Sequence, residues 1–364
     1  MRPPRLTTRL TAAYGVEHPF VAAGMAFVGT PPDLAIAVCR AGGIGSLGIG
    51  PLPGEAARAL IRAVRAETDR PLNVNLITPL AADEHVRVCV EEGVPIVSFH
   101  WGHPPRAWID TLHAAGAKVW EQVGSVEAAR AAVEDGVDVV VAQGSEAGGH
   151  NRASLPTMVL VPAIVDAVAP AMVLAAGGIS DGRQLAAALA LGADGVWVGT
   201  RLVASEEAFA HPGYKQRLVE ARGAEARLTP VFGPEMPAFN PMRVLENRVV
   251  REYVGREDEV PTDTSNEPVI GTTAFMGQVV TLRRFTNWVP VPTTVGDLEE
   301  MPLLAGQGVG QVRDVRPAGD IVREMVDEAA AILFRLGVPG RAEGHTMQTD
   351  GLTATDAPSS AVPA

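Results

Sequence analysis

The chain has 364 residues, 47% of them hydrophobic and 20% charged. That is too long for one ordinary domain and normal for one large α/β barrel with an insertion. A formal charge of -12, no basic stripe and no uncharged apolar run of the ~20 residues a membrane span needs exclude nucleic acid and the bilayer as expected partners.

The N-terminus, MRPPRLTTRL, is basic, but no long apolar region with a small-residue cleavage site follows it, so no secretory leader is expected. From Phe20 one pattern repeats with a period of roughly 25 residues: a short apolar run ends in glycine or a polar residue, and an Ala-rich amphipathic segment follows. Strands are expected at Phe20–Ala26, Gly45–Leu47, Leu72–Leu76, Ile96–His100, Lys118–Gln122, Val137–Ala142, Met172–Ala176 and Gly195–Val198. Helices are expected between them at Pro32–Ala41, Gly54–Thr68, Asp83–Glu92, Pro105–Ala115, Val126–Asp135, Leu160–Ala169 and Arg183–Leu191. Most strand runs are apolar throughout rather than alternating, which suits parallel strands covered on both faces. The alternation predicts a (β/α)8 barrel over residues 1–204, with a doubly wound open sheet as its competitor. Cys39 and Cys89 lie in helical, apolar contexts with neither metal-ligand spacing nor a disulfide framework, and both read as reduced core residues of a cytoplasmic protein.

After Ser205 the pattern breaks. Helix-like pieces at 206–222 and 242–254 and a Pro/Thr/Asp-rich stretch at 257–268 predict an inserted, mostly helical subdomain over the barrel mouth, residues 205–303. A glycine-rich turn at Leu304–Gly308 and a helix over Ala318–Leu336 return the chain to the barrel within 304–339, and the Ala/Thr/Ser/Pro-rich tail, 340–364, reads as disordered.

An active site in such a barrel sits at the C-terminal ends of the strands. Those ends offer Ala23, Gly24 and Met25; Gly48; Asn75 and Thr78; Phe99, His100, Trp101 and His103; Glu121 and Gln122; Gln143 with the loop to His150; Gly177 and Gly178; and Gly199, Thr200 and Arg201. The polar ones are mostly neutral hydrogen-bonders. They are poor ligands for a divalent metal, so no metal is expected, and they suit a planar, heteroatom-rich ring. Small residues at both the seventh and eighth turns suit a phosphate held by backbone N–H groups. Among His100, His103 and His150, the third follows Gly148-Gly149, which lets the backbone carry it over a ligand as a general base. His18, His85, His113, His211 and His345 read as ordinary hydrogen-bonded residues, and Glu146 as a brace for its loop.

Several of these runs are long and ordered: Pro19–Met25, Ala41–Gly45, Asn73–Leu76, Ser98–Gly102, Gly144–His150, Ala176–Ile179, Ala186–Arg201 and Ala305–Gly308. Over about Leu10 to Leu336 the chain resembles the nitronate monooxygenases (formerly 2-nitropropane dioxygenases), FMN-dependent barrels. The resemblance implies FMN as cofactor, with Ala23, Gly24, Met25, Asn75, Gln122, Gln143 and Gly148 along the ring. Gly177, Gly178, Gly199 and Thr200 would hold its phosphate, and Gln307 would approach from the late turn. It implies His150 as catalytic residue, Met25, Phe99, His100, Trp101 and Arg152 around the substrate, and a nitronate or nitroalkane plus dioxygen as reactants. Many relatives continue Gly-Gly-His-x-Gly, whereas here Asn151 is followed by Arg152, which suits either attraction of an anionic substrate or a surface position. The flavin-dependent enoyl-acyl carrier protein reductases share the barrel and the Glu-Ala-Gly-Gly-His run. A non-catalytic flavin-binding protein is a further alternative. Ala- and Val-rich helix faces fit a homodimer and a monomer equally.

Overall fold

The computed structural model describes residues 5–275 and 277–337. Its strands are β1 (Phe20–Ala22), β2 (Gly45–Gly48), β3 (Leu72–Ile77), β4 (Ile96–His100), β5 (Lys118–Val123), β6 (Val139–Gln143), β7 (Gly149–His150), β8 (Met172–Ala176), β9 (Gly195–Val198), β10 (Ala226–Thr229), β11 (Met242–Leu245), β12 (Val269–Phe275), β13 (Gln278–Arg283) and β14 (Val295–Gly296). The helices are α1 (Arg9–Tyr14), α2 (Pro32–Arg40), α3 (Gly54–Glu67), α4 (Asp83–Glu91), α5 (Arg106–Ala114), α6 (Val126–Glu134), α7 (Thr157–Val168), α8 (Gly182–Ala190), α9 (Thr200–Val203), α10 (Pro212–Glu220), α11 (Arg248–Tyr253) and α12 (Ala318–Arg335).

Eight parallel strands run in the order β1-β9-β8-β6-β5-β4-β3-β2. The ring closes between β1 and the start of β2, where Ala22 N–H donates to the Ile44 carbonyl and Ile44 N–H to the Phe20 carbonyl, both at 2.9 Å. Closure decides against the open doubly wound sheet. β1 is shorter than its apolar run because the chain leaves the ladder at Gly24, packed so tightly on Asn75 that an added Cβ would lie 2.1 Å from the Asn75 Cβ.

The two-residue period of each strand sorts side chains into layers. Val21, Ile44, Ile96, Trp120, Val139, Val141, Leu174 and Trp197 point inward and pack together as a dry floor. Helix α1 plugs the bottom: Leu10 is fully buried against this cluster, and Trp120 Nε1–H donates to the Tyr14 hydroxyl at 2.8 Å. Beyond the floor, towards the C-terminal ends of the strands, come Ala23, Asn75, His100, Gln122, Gln143 and Gly199, and this upper layer is open to a cavity. The outward-facing residues pack under the helices in two further clusters. Helix α12 returns to this layer, where Met325 and Ala329 approach α8 so closely that a Cβ on Gly182 would fall 2.5 Å from the Met325 carbonyl oxygen.

The insertion is mixed rather than mostly helical. Its chain forms β10 and β11, paired antiparallel, and the β13-β12-β14 sheet, with α10 and α11 beside them. The stretch 242–254 divides into strand β11 and helix α11 at Asn247, whose side chain accepts from Val250 N–H and caps the helix. The Ile270–Thr273 run is β-branched except at Gly271 and pairs with β13 across a turn at Gly277, where φ is 80°. The tail from 338 onward lies outside the described residues. No described helix is long and apolar enough to cross a membrane.

Candidate active site

The upper layer of the barrel opens into a cavity of about 360 Å³ between the strand tips and the insertion. Of the residues named from sequence, Ala23, Gly24, Met25, Asn75, His100, Gln122, Gln143, Gly148, His150, Gly177, Gly178, Gly199 and Thr200 line it. Phe99, Trp101, Arg152 and Gln307 do not. Phe99 is fully buried on the outer face of β4, one residue out of phase with His100, and stacks on Trp108. Gln307 is exposed; its backbone N–H donates to the Glu146 carbonyl at 2.9 Å, while its neighbours Gly306 and Gly308 face the cavity.

Strand pairing positions His150. The glycines Gly148 and Gly149 let the chain turn back as β7, which pairs with β11 so that His150 lies opposite Met242. Arg243 on β11 donates to the Ser145 carbonyl at 3.1 and 2.8 Å and to the Ala226 carbonyl at 2.8 Å, tying the insertion to this loop. Glu146 braces the same loop from the other side: its Oε2 accepts from the Thr157 N–H at 2.7 Å and hydroxyl at 2.9 Å. His150 Nδ1 is hydrogen-bonded to the Phe239 carbonyl. A carbonyl only accepts, so Nδ1 carries the ring proton and Nε2 keeps its lone pair. Burial lowers the His150 pKa below the ordinary imidazole value; the Phe239 carbonyl opposes this, and the Arg152 cation adds to it.

Trp101 and Arg152 brace the segment that holds His150. Trp101 Nε1–H donates to the Ala238 carbonyl at 2.6 Å, the Arg152 guanidinium donates to the same oxygen, and it lies 4.2 Å over the indole ring. Trp101 also stacks on Phe239, with 7° between the planes. Arg152 is thus a strut at the rim, engaged with backbone and ring.

His103 is turned outward, between Glu121 at 2.7 Å and Asp135 at 2.9 Å. His85, His113 and His211 all have hydrogen-bonded rings, to Leu52 and Ala82, to Asp138, and to Gly213, whereas the buried Nδ1 of His18 has no hydrogen-bond partner among the described residues, against the expectation from sequence. His345 lies outside the described residues.

The structure adds residues that the strand ends did not announce. Met236, Phe239, Asn287, Trp288 and Val289 come from the insertion and roof the cavity. Ser180 lies beside Gly178 at the seventh strand turn, buried, and its Oγ has no hydrogen-bond partner. A lone serine before a helix reads as a cap in any sequence; only the fold reveals a hydroxyl left over.

A sequence profile of the nitronate monooxygenase family matches residues 7–87 and 79–328. The chain belongs to the nitronate monooxygenase family. It is thereby an oxidoreductase, of the kind that oxidises nitronates. A nitronate monooxygenase of Pseudomonas aeruginosa is 33% identical to it over 370 residues, covering 89% of this chain and 99% of that protein. A Mycobacterium tuberculosis protein, (3aS,4S,5R,7aS)-5-hydroxy-7a-methyl-1-oxo-octahydro-1H-indene-4-carboxyl-CoA dehydrogenase, is 39% identical over a shorter span, 60% of this chain and 61% of its own. Among solved structures, FabK from Thermotoga maritima superposes with a TM-score of 0.75 at 34% identity, over 91% of this chain and 99% of its own. A nitroalkane oxidase from Streptomyces ansochromogenes gives 0.73 at 30% identity, over 90% and 99%.

Proposed function

We propose that this nitronate monooxygenase family member uses FMN to oxidise alkyl nitronates with dioxygen, giving a carbonyl compound and nitrite. One dioxygen balances two nitronates, yielding two carbonyls and two nitrites. The observation that carries the reading is His150, held at the rim of the cavity with Nδ1–H on the Phe239 carbonyl and Nε2 free to accept.

The residues fit FMN. Gly177 and Gly178 have φ of 106° and 72°, a conformation glycine adopts without strain, and they turn the chain around a concave floor. Ser180 contributes the unpartnered hydroxyl beside them, suited to a phosphate oxygen. Thr200 opens α9 opposite, with its hydroxyl accepting from Gly306 N–H at 2.9 Å. Asn75, Gln122 and Gln143 present amides to the cavity, suited to the heteroatom edge of a flavin ring. When bound, FMN supplies the acceptor for electrons leaving the substrate and their route to dioxygen.

The chain's own residues do the rest. A neutral nitroalkane loses its α-proton to His150 Nε2, which burial keeps unprotonated near neutral pH. A preformed nitronate needs no such step. Met25 and the roof of Met236, Phe239 and Trp288 hold the alkyl part and exclude water.

The test is nitrite release. His150→Asn is expected to lose about 10²–10⁴-fold on the neutral nitroalkane, and far less on the nitronate. Equal losses remove the base role, and no nitrite from either substrate removes the reading. The likeness to FabK keeps enoyl thioester reduction as a second reading. Rapid anaerobic bleaching by NADPH, reversed by an enoyl thioester, is the outcome that favours it. A cavity that binds FMN without turnover of any of these is the outcome expected of a non-catalytic flavoprotein.

A further inference from the structure

His100 ends β4 in the same inward layer as Gln122 on the adjacent strand, and both line the cavity. The Gln122 amide nitrogen lies 2.9 Å from His100 Nδ1. An amide N–H can only donate, so Nδ1 accepts and the single proton of a neutral ring sits on Nε2. His150 is held in the opposite way, since its Nδ1 meets a carbonyl. The indole of Trp101 packs against both rings, with its centroid 5.6 Å from that of His100 and 5.3 Å from that of His150. One cavity therefore holds two imidazoles in opposite tautomers: one with a free lone pair, the other with a free N–H.

We propose that His100 is a second catalytic residue, which donates from Nε2–H to the oxygen of the substrate's activating group while His150 Nε2 accepts the carbon-bound proton. The inference rests on the nitronate reading and deepens it. Removing the α-proton of a nitroalkane breaks the C–H bond. It leaves the electron pair shared with the nitro oxygens, and the proton goes to His150 Nε2. Charge then builds on oxygen, where a fixed donor is most effective in a water-poor cavity. A neutral donor serves this better than an imidazolium, because it leaves the neighbouring base without a like charge beside it. The groups facing His100 suit neutrality: burial first, then the His150 ring and the Arg152 guanidinium, all disfavour a proton there. Gln122 is the positioning residue that fixes the tautomer.

The role differs from that of His150 in which substrates feel its loss. A base is needed only for the neutral nitroalkane, whereas an oxygen donor serves nitroalkane and nitronate alike. His100→Phe is expected to lower kcat/KM by about 10²–10³-fold on the neutral nitroalkane, where charge develops on oxygen, and by about 10–100-fold on the nitronate, which loses a charge-assisted hydrogen bond to oxygens already charged when it binds. His100→Gln, whose amide N–H reaches towards the position of Nε2, is expected to recover at least about tenfold of the loss on the nitroalkane. Unchanged kcat/KM in His100→Phe, or a loss confined to the neutral nitroalkane, overturns the proposal.

A second measurement needs no turnover. In 15N-histidine-labelled holoprotein at pH 7, the His100 signals, assigned by their disappearance in His100→Gln, are expected to show an unprotonated Nδ1 and a protonated Nε2. In Gln122→Glu, where the new carboxylate presents only acceptors, the proton is expected to move to Nδ1. A wild-type ring with its proton on Nδ1, or an imidazolium, overturns the proposal even if the variants are inactive. Failure of the wild type to release nitrite from any nitronate sinks the nitronate reading alone, and the spectrum still decides whether His100 offers a donor.

Discussion

Ser180 is buried to 3% exposure, yet its hydroxyl oxygen meets no partner. A buried, unsatisfied hydroxyl costs about 1–3 kcal/mol, and a fold keeps one when something outside the chain completes it. Gly308 packs close against it, since an added Cβ there would lie 2.6 Å from that oxygen. A hydrogen bond to a charged acceptor contributes about 1.5–3 kcal/mol, so Ser180→Ala is expected to raise the FMN Kd by about 10–100-fold. The flavin-free protein should melt no lower than wild type, because no bond within the chain is lost. Fluorescence titration of FMN measures the first and a thermal melt the second; an unchanged Kd would remove Ser180 from the phosphate site. At this scale the sequence was readable where chemistry and phase coincide. Gly177, Gly178 and His150 stand in runs whose spacing points to a ligand. Phe99 did not yield to the same reading: β4 is covered on both faces, so its sequence, Ile-Val-Ser-Phe-His, does not say whether Phe99 or the alternating Ser98 and His100 face the cavity until the pairing is known. Ser180 was hidden for a different reason: being without a partner is a property of three-dimensional surroundings.

At the scale of elements, the decisive arrangement is the pairing of β7 with β11, which sets a two-residue strand from the barrel loop against the insertion. Neither is long enough to show a period in sequence, and each is extended because the other is there. The same shortness hid one sheet of the insertion, where β10 and β11 have four residues each; β12 and β13, at seven and six residues, are longer, and their mostly exposed or half-buried residues leave no buried apolar face to mark them. The ring of barrel elements was legible because each unit carries its own apolar run and its own amphipathic helix. Arg243 joins the two parts, with three of its donors on the carbonyls of Ser145 and Ala226. Arg243→Ala leaves those oxygens unpartnered in a buried setting and frees the loop that carries His150. Loss of one such charge-assisted bond costs about 1.5–3 kcal/mol. The variant is therefore expected to lower the melting temperature by several degrees and to reduce turnover of the neutral nitroalkane more than that of the nitronate. A variant that is destabilised yet keeps the wild-type ratio between the two substrates would show that Arg243 holds the fold without positioning the base.

For the whole molecule, closing eight strands around a dry floor forces the polar residues of the upper layer into a small shared volume. The closed barrel was readable from the repeat, and the strand ends already set His100 and His150 at one mouth; their opposite tautomers were not readable, because these depend on Gln122 and the Phe239 carbonyl, partners that only the fold brings to the rings. This crowding of imidazoles makes the fold sensitive to acid. Burial, then the His150 ring and Arg152, push the His100 pKa down from 6.5 to about 3, and burial also lowers that of His150. Above pH 6.5 neither the folded nor the unfolded chain protonates His100. As the pH falls below 6.5 the unfolded chain takes up the proton while the folded chain refuses it until about pH 3. The unfolded state therefore binds more protons throughout this window, and stability is lost progressively as the pH falls through it. His100→Gln removes the titrating ring, so its melting temperature should fall less steeply than that of wild type between pH 6.5 and pH 4, although both also lose carboxylate ion pairs. Measuring both holoproteins in one buffer series at constant ionic strength isolates the imidazole's share, and parallel curves would mean that water reaches His100 freely and that its ring titrates in the folded chain much as it does in the unfolded one.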